Sequence, residues 1–343
     1  MKRYFLLIVC VLLCSCSLLA DKRAYTVDCI WGQGTYNSFT SLIKYKGKFY
    51  CAFREGRGHV FDENGKAEGK IRILRSANGK KRTSVAFFGQ EGMDFRDPKL
   101  SVTPDGRLSV SIGVSVYVNK QLKAQIPHVC FSDDGINYTQ PQKCVVEGGE
   151  NHKTDWIWRT TWYNGTGYAA NYYSTQQGER HICLMETRDA ITYREVAELQ
   201  IPDFPNEATI RFLPGGEMAM MVRRDGGDCM GYWGIARAPF TQWEWKKMPF
   251  RLGGPDFLVL DDKRIIASSR CHHIDAACTT SLYMGDVQTA RFSQRLVLPS
   301  GGDTSYCGMI VEGDELWVSY YSGHASHWRS IYLAKIPLNF FNW

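Results

Sequence analysis

Arginines, carboxylates and aromatic residues recur together in short clusters along this chain. Arg54 is followed by Glu55, His59, Asp62 and Glu63, and Arg96 by Asp97. Arg159 follows Asp155, Trp156 and Trp158, and Asn206-Glu207 leads to Arg223, Arg224 and Asp225. Arg270 precedes His272 and His273, and Asp303 and Tyr306 lead to Tyr320, His324 and His327. A guanidinium grips a carboxylate or phosphate through a planar two-bond fork. Positioned carboxylates move protons as general acids and bases. Together these residue types fit an anionic ligand held by arginine, with aromatic rings for a sugar. For any one arginine, a solvated ion pair accounts for the side chain equally well. It does not account for a whole set gathered at one place. Cys271, His272 and His273 do not suggest a metal, because neighbouring residues of a strand point to opposite faces. No metal and no cofactor is expected.

The elements that would gather these clusters are repeated hairpins. Six segments share an apolar strand, a tight polar or glycine turn and a second apolar strand, with turns at Gly47, Gly106, Gly165, Gly216, Asp262 and Gly313. The intervals are 59, 59, 51, 46 and 51 residues. Asp-Gly, Asn-Gly and Gly-Gly turns between such runs mark β-hairpins. A third strand follows each hairpin: KIRILRS, PHVCFS, RHICLME, YWGIAR, TTSLYMG and SIYLAKI. No long apolar pattern of helical period appears. Repeats of this length and strand content predict an all-β fold, a six-bladed β-propeller. Tyr25 to Trp31 lies outside the repeats and is expected to be the outer strand of the last blade, which removes an exposed edge. The start of the first strand and the end of the second share one end of a hairpin. The clusters above sit at those ends, so the propeller would bring them to one rim. Glu207 and Arg223 are symmetric about their turn and should face each other.

The chain has 343 residues, 44% of them hydrophobic and 13% aromatic, with 32 glycines, which excludes a disordered polymer and suits strands and turns. Its charge of +6 is spread without a basic tract, so a nucleic-acid partner is not expected. Lys2 and Arg3 precede an apolar run from Tyr4 to Cys14 and then Leu13-Cys14-Ser15-Cys16. This reads as a secretion signal of bacterial lipoprotein type, with Cys16 lipidated. Residues 1–16 are therefore assigned to the signal and 17–343 to a single propeller domain. The mature protein is expected in the cell envelope, periplasmic or at the outer surface, as a monomer touching the membrane only through its lipid. Nine cysteines remain after Cys10, Cys14 and Cys16 are set aside, an odd number. Cys130 with Cys144, and Cys271 with Cys278, are candidates for bridging in an oxidising compartment.

The repeated Ser-x-Asp-Gly-x-x-aromatic turns, best formed in Ser132 to Tyr138, resemble the Asp-boxes of sialidases, which are six-bladed propellers. Asn206-Glu207 with Arg223 resembles the sialidase segment that carries the nucleophile's Glu partner and one carboxylate-binding arginine. Arg270 resembles the next such arginine. Ser305-Tyr306 resembles the segment of the Tyr nucleophile, and Asp62 falls where the family keeps its acid/base Asp. The resemblance runs from about residue 25 to the end in short motifs. It departs at Tyr36-Asn37-Ser38-Phe39, where sialidases carry a third arginine. Arg54 or Arg96 could serve instead.

The resemblance implies an exo-glycosidase that removes a terminal carboxylate-bearing sugar by a retaining mechanism. A neutral Tyr nucleophile avoids repulsion by the sugar's carboxylate but needs a base. Glu207 would be that base, Asp62 the acid and then base, and Arg223 and Arg270 the carboxylate clamp. Arg54, Arg96, Arg159 and Trp158 would complete the binding surface. Two alternatives stay open. One is a hydrolase of the same fold for another anionic glycan, using Asp62 and Glu207 as a carboxylate pair. The other is a non-catalytic, lipid-anchored glycan-binding module.

Overall fold

A computed structural model describes residues 25–341. The expected signal at residues 1–16, with Cys16, lies outside the described residues. The described chain is all-β, with two 3-10 turns at Gly149–Asn151 and Leu338–Phe341 and no α-helix among the described residues.

The first sheet runs in chain order through Tyr36–Tyr45, Lys48–Gly56, Lys70–Ser76 and Arg82–Phe88. Pro205–Phe212, Met218–Arg224, Met230–Ala236 and Trp243–Arg251 form another, and Asp256–Val259, Arg264–Cys271, Thr279–Asp286 and Phe292–Leu298 the next. The last contains Ser305–Glu312, Glu315–Ser322 and Ser330–Pro337, with Thr26–Trp31 antiparallel on its outer edge. This is the edge strand expected from the sequence. The two remaining repeats form one ten-stranded sheet, joined through a parallel bridge between Gln125 and Thr154. The first of them is built on Asp94–Val102, Leu108–Val118 and Gln121–Ser132. The second has a first strand in two pieces, His152–Ile157 and Thr161–Tyr163, both paired with Thr166–Thr175.

The first strand of each repeat touches the first strand of the next, and the last touches that of the first. These strands are buried on both faces, polar residues such as Asn37, Thr40, Asp94 and Thr209 included, because each sheet has a neighbour on either side. Ile182 and Leu184 meet Ile210 and Met220 across one such junction, and Leu282 and Met284 meet Met309 and Val318 across another. The three Asp-box-like turns share one hydrogen-bond plan. Ser76, Ser132 and Thr187 each accept from the backbone N–H three residues on, at 2.9, 2.8 and 2.9 Å. None of the nine described cysteines is bridged. The suggested pairings are thus not formed: Cys144 donates to Ala190 O, and Cys278 lies 3.7 Å from His272 Nδ1.

Candidate active site

Four of the first strands carry the same irregularity near the end where the clusters meet. Between Ser38 and Ser41, Arg96 and Lys99, Pro205 and Ala208, and Ser305 and Gly308, the first strand holds one residue more than its partner. Such bulges re-aim side chains and are frequent beside active sites. Phe39, Asp97 and Tyr306 stand in three of them with φ of 61, 47 and 51°. Left-handed backbone is uncommon for non-glycine residues, and its recurrence at one level of the fold marks a constrained region. The fourth bulge contains Glu207.

These bulges bring Tyr306 and Glu207 together from segments 99 residues apart. The Tyr306 hydroxyl donates to Glu207 Oε1 at 2.5 Å, and Arg223 Nη1 donates to the same Oε1 at 2.8 Å and to Tyr306 Oη at 2.9 Å. Gly254 N–H donates to Glu207 Oε2 at 2.8 Å. Gly254 has φ +58°, and a Cβ on it would lie 2.4 Å from Tyr306 Cγ, so glycine is required where backbone and phenol ring meet. The ring is enclosed by Phe39 at 4.9 Å and Trp158 at 6.0 Å. Burial, and then the Glu207 carboxylate, push the Tyr306 pKa up, while Arg223 and Arg270 oppose them. The resting phenol is therefore neutral, with a carboxylate in place to take its proton.

Arg270 lies beside this pair, its guanidinium 5.2 Å from the Tyr306 ring centroid. Its Nη2 donates to Asp303 Oδ1 at 2.6 Å and to Tyr321 Oη at 2.9 Å, and its Nε donates to Thr304 O. Asp303 also accepts from Tyr321 Oη, Tyr36 Oη and His59 Nδ1. Burial raises its pKa, but the His59, Arg270 and Tyr36 interactions outweigh this and hold it well below the usual carboxylate range.

The other candidates are distributed around this centre. Arg96 lies over the Phe39 ring at 5.0 Å and bonds Asp94 at 3.2 Å. Arg54 is fully buried against Asp94 and Gly58 O, and Arg159 is buried against Asp256. Trp158 is likewise buried, with Lys99 Nζ 4.3 Å from its ring centroid. Arg54, Arg159 and Trp158 thus support the site's walls rather than offer open donors to solvent. Each of the six arginines singled out in the sequence has a carboxylate partner. Asp62 is not joined to Tyr306 or Glu207. Its Oδ1 accepts from Asn64 N–H and Lys66 N–H at 2.9 and 2.8 Å, closing a turn. The Lys66 backbone bond is the main cause holding its pKa below normal, the Asn64 bond adding to it.

Sequence reasoning missed Lys99, Tyr321 and Gly254. Burial lowers the Lys99 pKa to about 8, Asp97 opposing and Arg159 adding to the shift. Burial raises the pKa of Asp97, against Lys99 and Arg96, and its Oδ1 has no partner. The Gly253-Gly254 pair before Pro255 was the available signal for a close backbone approach.

No protein-family profile matches this sequence, and no curated protein does. Solved structures match its fold. An uncharacterised protein of Dyadobacter fermentans superposes with a TM-score of 0.75 at 18% identity, over 90% of this chain and 98% of its own. A Hadza microbial sialidase gives 0.68 at 13% identity, over 89% and 66%. A Trypanosoma rangeli sialidase in complex with the inhibitor DANA gives 0.65 at 10%, over 88% and 55%, so this chain spans about half the length of that protein. The fold is therefore sialidase-like.

Proposed function

We propose that the chain is a glycoside hydrolase whose six repeats form a closed six-bladed β-propeller. In this reading Tyr306 is the nucleophile of a retaining reaction and Glu207 the base that takes its proton. The supporting observation is the 2.5 Å bond from the Tyr306 hydroxyl to Glu207, bridged by Arg223. A nucleophile within hydrogen-bond reach of a base, itself oriented by a third group, is the geometry of an activated nucleophile. A tyrosine nucleophile is an established exception to the two-carboxylate scheme of glycosidases. The Tyr306 ring, backed by the buried Phe39 and Trp158, would meet a sugar ring, and Arg223, Arg270 and Arg96 would supply polar contacts. The envelope location and the lipid on Cys16 belong to the same proposal, as does a monomeric state.

For the substrate, a keto-acid sugar remains the first reading, with Arg223 and Arg270 as its carboxylate clamp. A second reading is favoured by Arg270 already holding the Asp303 carboxylate and by the lack of an arginine in Tyr36-Asn37-Ser38-Phe39. It expects a sugar without a carboxylate on its anomeric carbon. A panel of 4-methylumbelliferyl glycosides tests both, with the α-sialoside beside neutral and uronate sugars. Cleavage of the α-sialoside supports the first reading, and cleavage of a neutral or uronate sugar without the α-sialoside supports the second. Binding without turnover on any member would refute the hydrolase assignment.

A further inference from the structure

Breaking a glycosidic bond requires a proton for the departing oxygen. Glu207 is committed elsewhere: Oε1 accepts from Tyr306 and Arg223, and Oε2 from Gly254 N–H. Asp62 is held ionised within its turn. The same loop presents another group. His59 is half exposed, and its Nδ1 lies 2.8 Å from Asp303 Oδ2. Its ring meets the edge of Tyr36 at 5.8 Å and of Phe39 at 5.7 Å, and Phe39 in turn packs on Tyr306. Asp303 lies three residues before Tyr306 and is fixed by Arg270 and Tyr321.

We propose that His59, oriented by Asp303, is the general acid and base of this site; the proposal rests on the glycosidase reading. The Tyr36 hydroxyl, 3.0 Å from His59 Nδ1, donates to Asp303, and an ionised Asp303 can only accept, so the His59 proton shared with it is on Nδ1. That leaves Nε2, which bonds no other protein group among the described residues, as the atom that exchanges protons. A carboxylate that fixes the tautomer and steadies the imidazolium is a recurring arrangement. The other ionisable groups facing His59 are Tyr36, Arg270 beyond Asp303, and Asp97, whose carboxyl interacts electrostatically with it.

In the first step Tyr306 Oη bonds to the anomeric carbon and loses its proton to Glu207. The bond from that carbon to the aglycone oxygen breaks, and the oxygen takes the proton from Nε2. In the second step a water oxygen bonds to the anomeric carbon and gives a proton to Nε2. The bond to Tyr306 breaks, and the phenolate recovers its proton from Glu207. Both residues end in their starting states.

The test compares methyl and 4-nitrophenyl glycosides of whichever sugar the fluorogenic panel identifies. The nitrophenolate departs without help, whereas the methoxide needs a proton. His59→Ala should lower kcat/KM on the methyl glycoside by about 100-fold or more and on the 4-nitrophenyl glycoside by less than about tenfold. Azide should speed the variant on the activated substrate and yield the glycosyl azide of retained configuration. His59→Gln, whose amide can still donate to Asp303, should show the same selective loss. This separates proton transfer from support of the loop. Equal losses on both aglycones would overturn the role of His59 while leaving the glycosidase reading intact. So would a selective loss in Asp62→Asn or Asp97→Asn but not in His59→Ala. An unaltered protein inactive on the whole panel would refute both.

Discussion

Replacing Tyr306 with Phe separates catalysis from stability, because the structure shows what the hydroxyl does for each. Removal deletes one bond donated to Glu207 and one accepted from Arg223. Glu207 keeps Arg223 at 2.8 Å and Gly254 N–H at 2.8 Å, so no buried carboxylate is orphaned. The ring contacts with Phe39 and Trp158 remain available to phenylalanine. A net hydrogen bond contributes about 0.5–1.5 kcal/mol, and one to a charged group about 1.5–3 kcal/mol. Both bonds belong to one network whose Arg223–Glu207 pair survives, so their joint loss should cost about 1.5–3 kcal/mol, the value of one bond to a charged group. In a domain of this size that corresponds to a fall in Tm of only a few degrees. Activity should respond far more. Loss of the nucleophile is expected to lower kcat by about a thousandfold or more, about 4 kcal/mol in the barrier. The assay is initial-rate hydrolysis of the fluorogenic substrate beside a melting curve of the same preparation. A Tyr306→Phe protein that melts near the parent and retains more than about a tenth of its kcat would refute the nucleophile assignment.

Other perturbations probe the surroundings. Gly254→Ala forces a Cβ against the Tyr306 ring at a left-handed backbone position and should lower kcat at least about 100-fold, with KM changed much less. Asp62→Asn keeps the turn's acceptor oxygen and should change kcat less than about fivefold on methyl and nitrophenyl glycosides alike; steady-state rates check this. His272 gives a signed pH effect. Burial, then Arg251 and Arg270, lower its pKa to about 4, from an ordinary value near 6.5. The unfolded chain therefore binds a proton in that interval that the folded chain refuses. The stability from neutral His272 is complete above about pH 6.5 and is lost as the pH falls towards 4. His272→Gln should flatten the decline in urea-unfolding free energy over that interval; an unchanged slope would exclude His272 as its source.

The hairpins were legible because each turn carries its own chemistry and each apolar run its own period. The six repeats and their third strands fell where the pattern placed them, and so did the facing of Glu207 and Arg223 across one turn. The partnering within the site was not legible. That Asp303 holds Arg270 and His59 depends on residues 33 and 244 positions away in sequence, and no local pattern encodes such distances. The bulges were also hidden. One extra residue in a strand leaves the apolar alternation almost unchanged, yet it turns Phe39, Asp97 and Tyr306 into the left-handed region. Asp62 matched a family position by spacing, while its neighbours Asn64 and Lys66 drew its carboxylate into a turn. Arg54 and Arg159 looked like open clamps because their partners, Asp94 and Asp256, belong to other sheets.

The most direct test is capture of the covalent intermediate. The protein is incubated with a fluorinated glycosyl fluoride of the sugar that it hydrolyses, and the product is read by intact mass and then by peptide mapping. One added glycosyl unit per chain, on the peptide that contains Tyr306 and absent from Tyr306→Phe, is the expected result. A label on any other residue, or hydrolysis with inversion at the anomeric carbon, would contradict Tyr306 as the nucleophile.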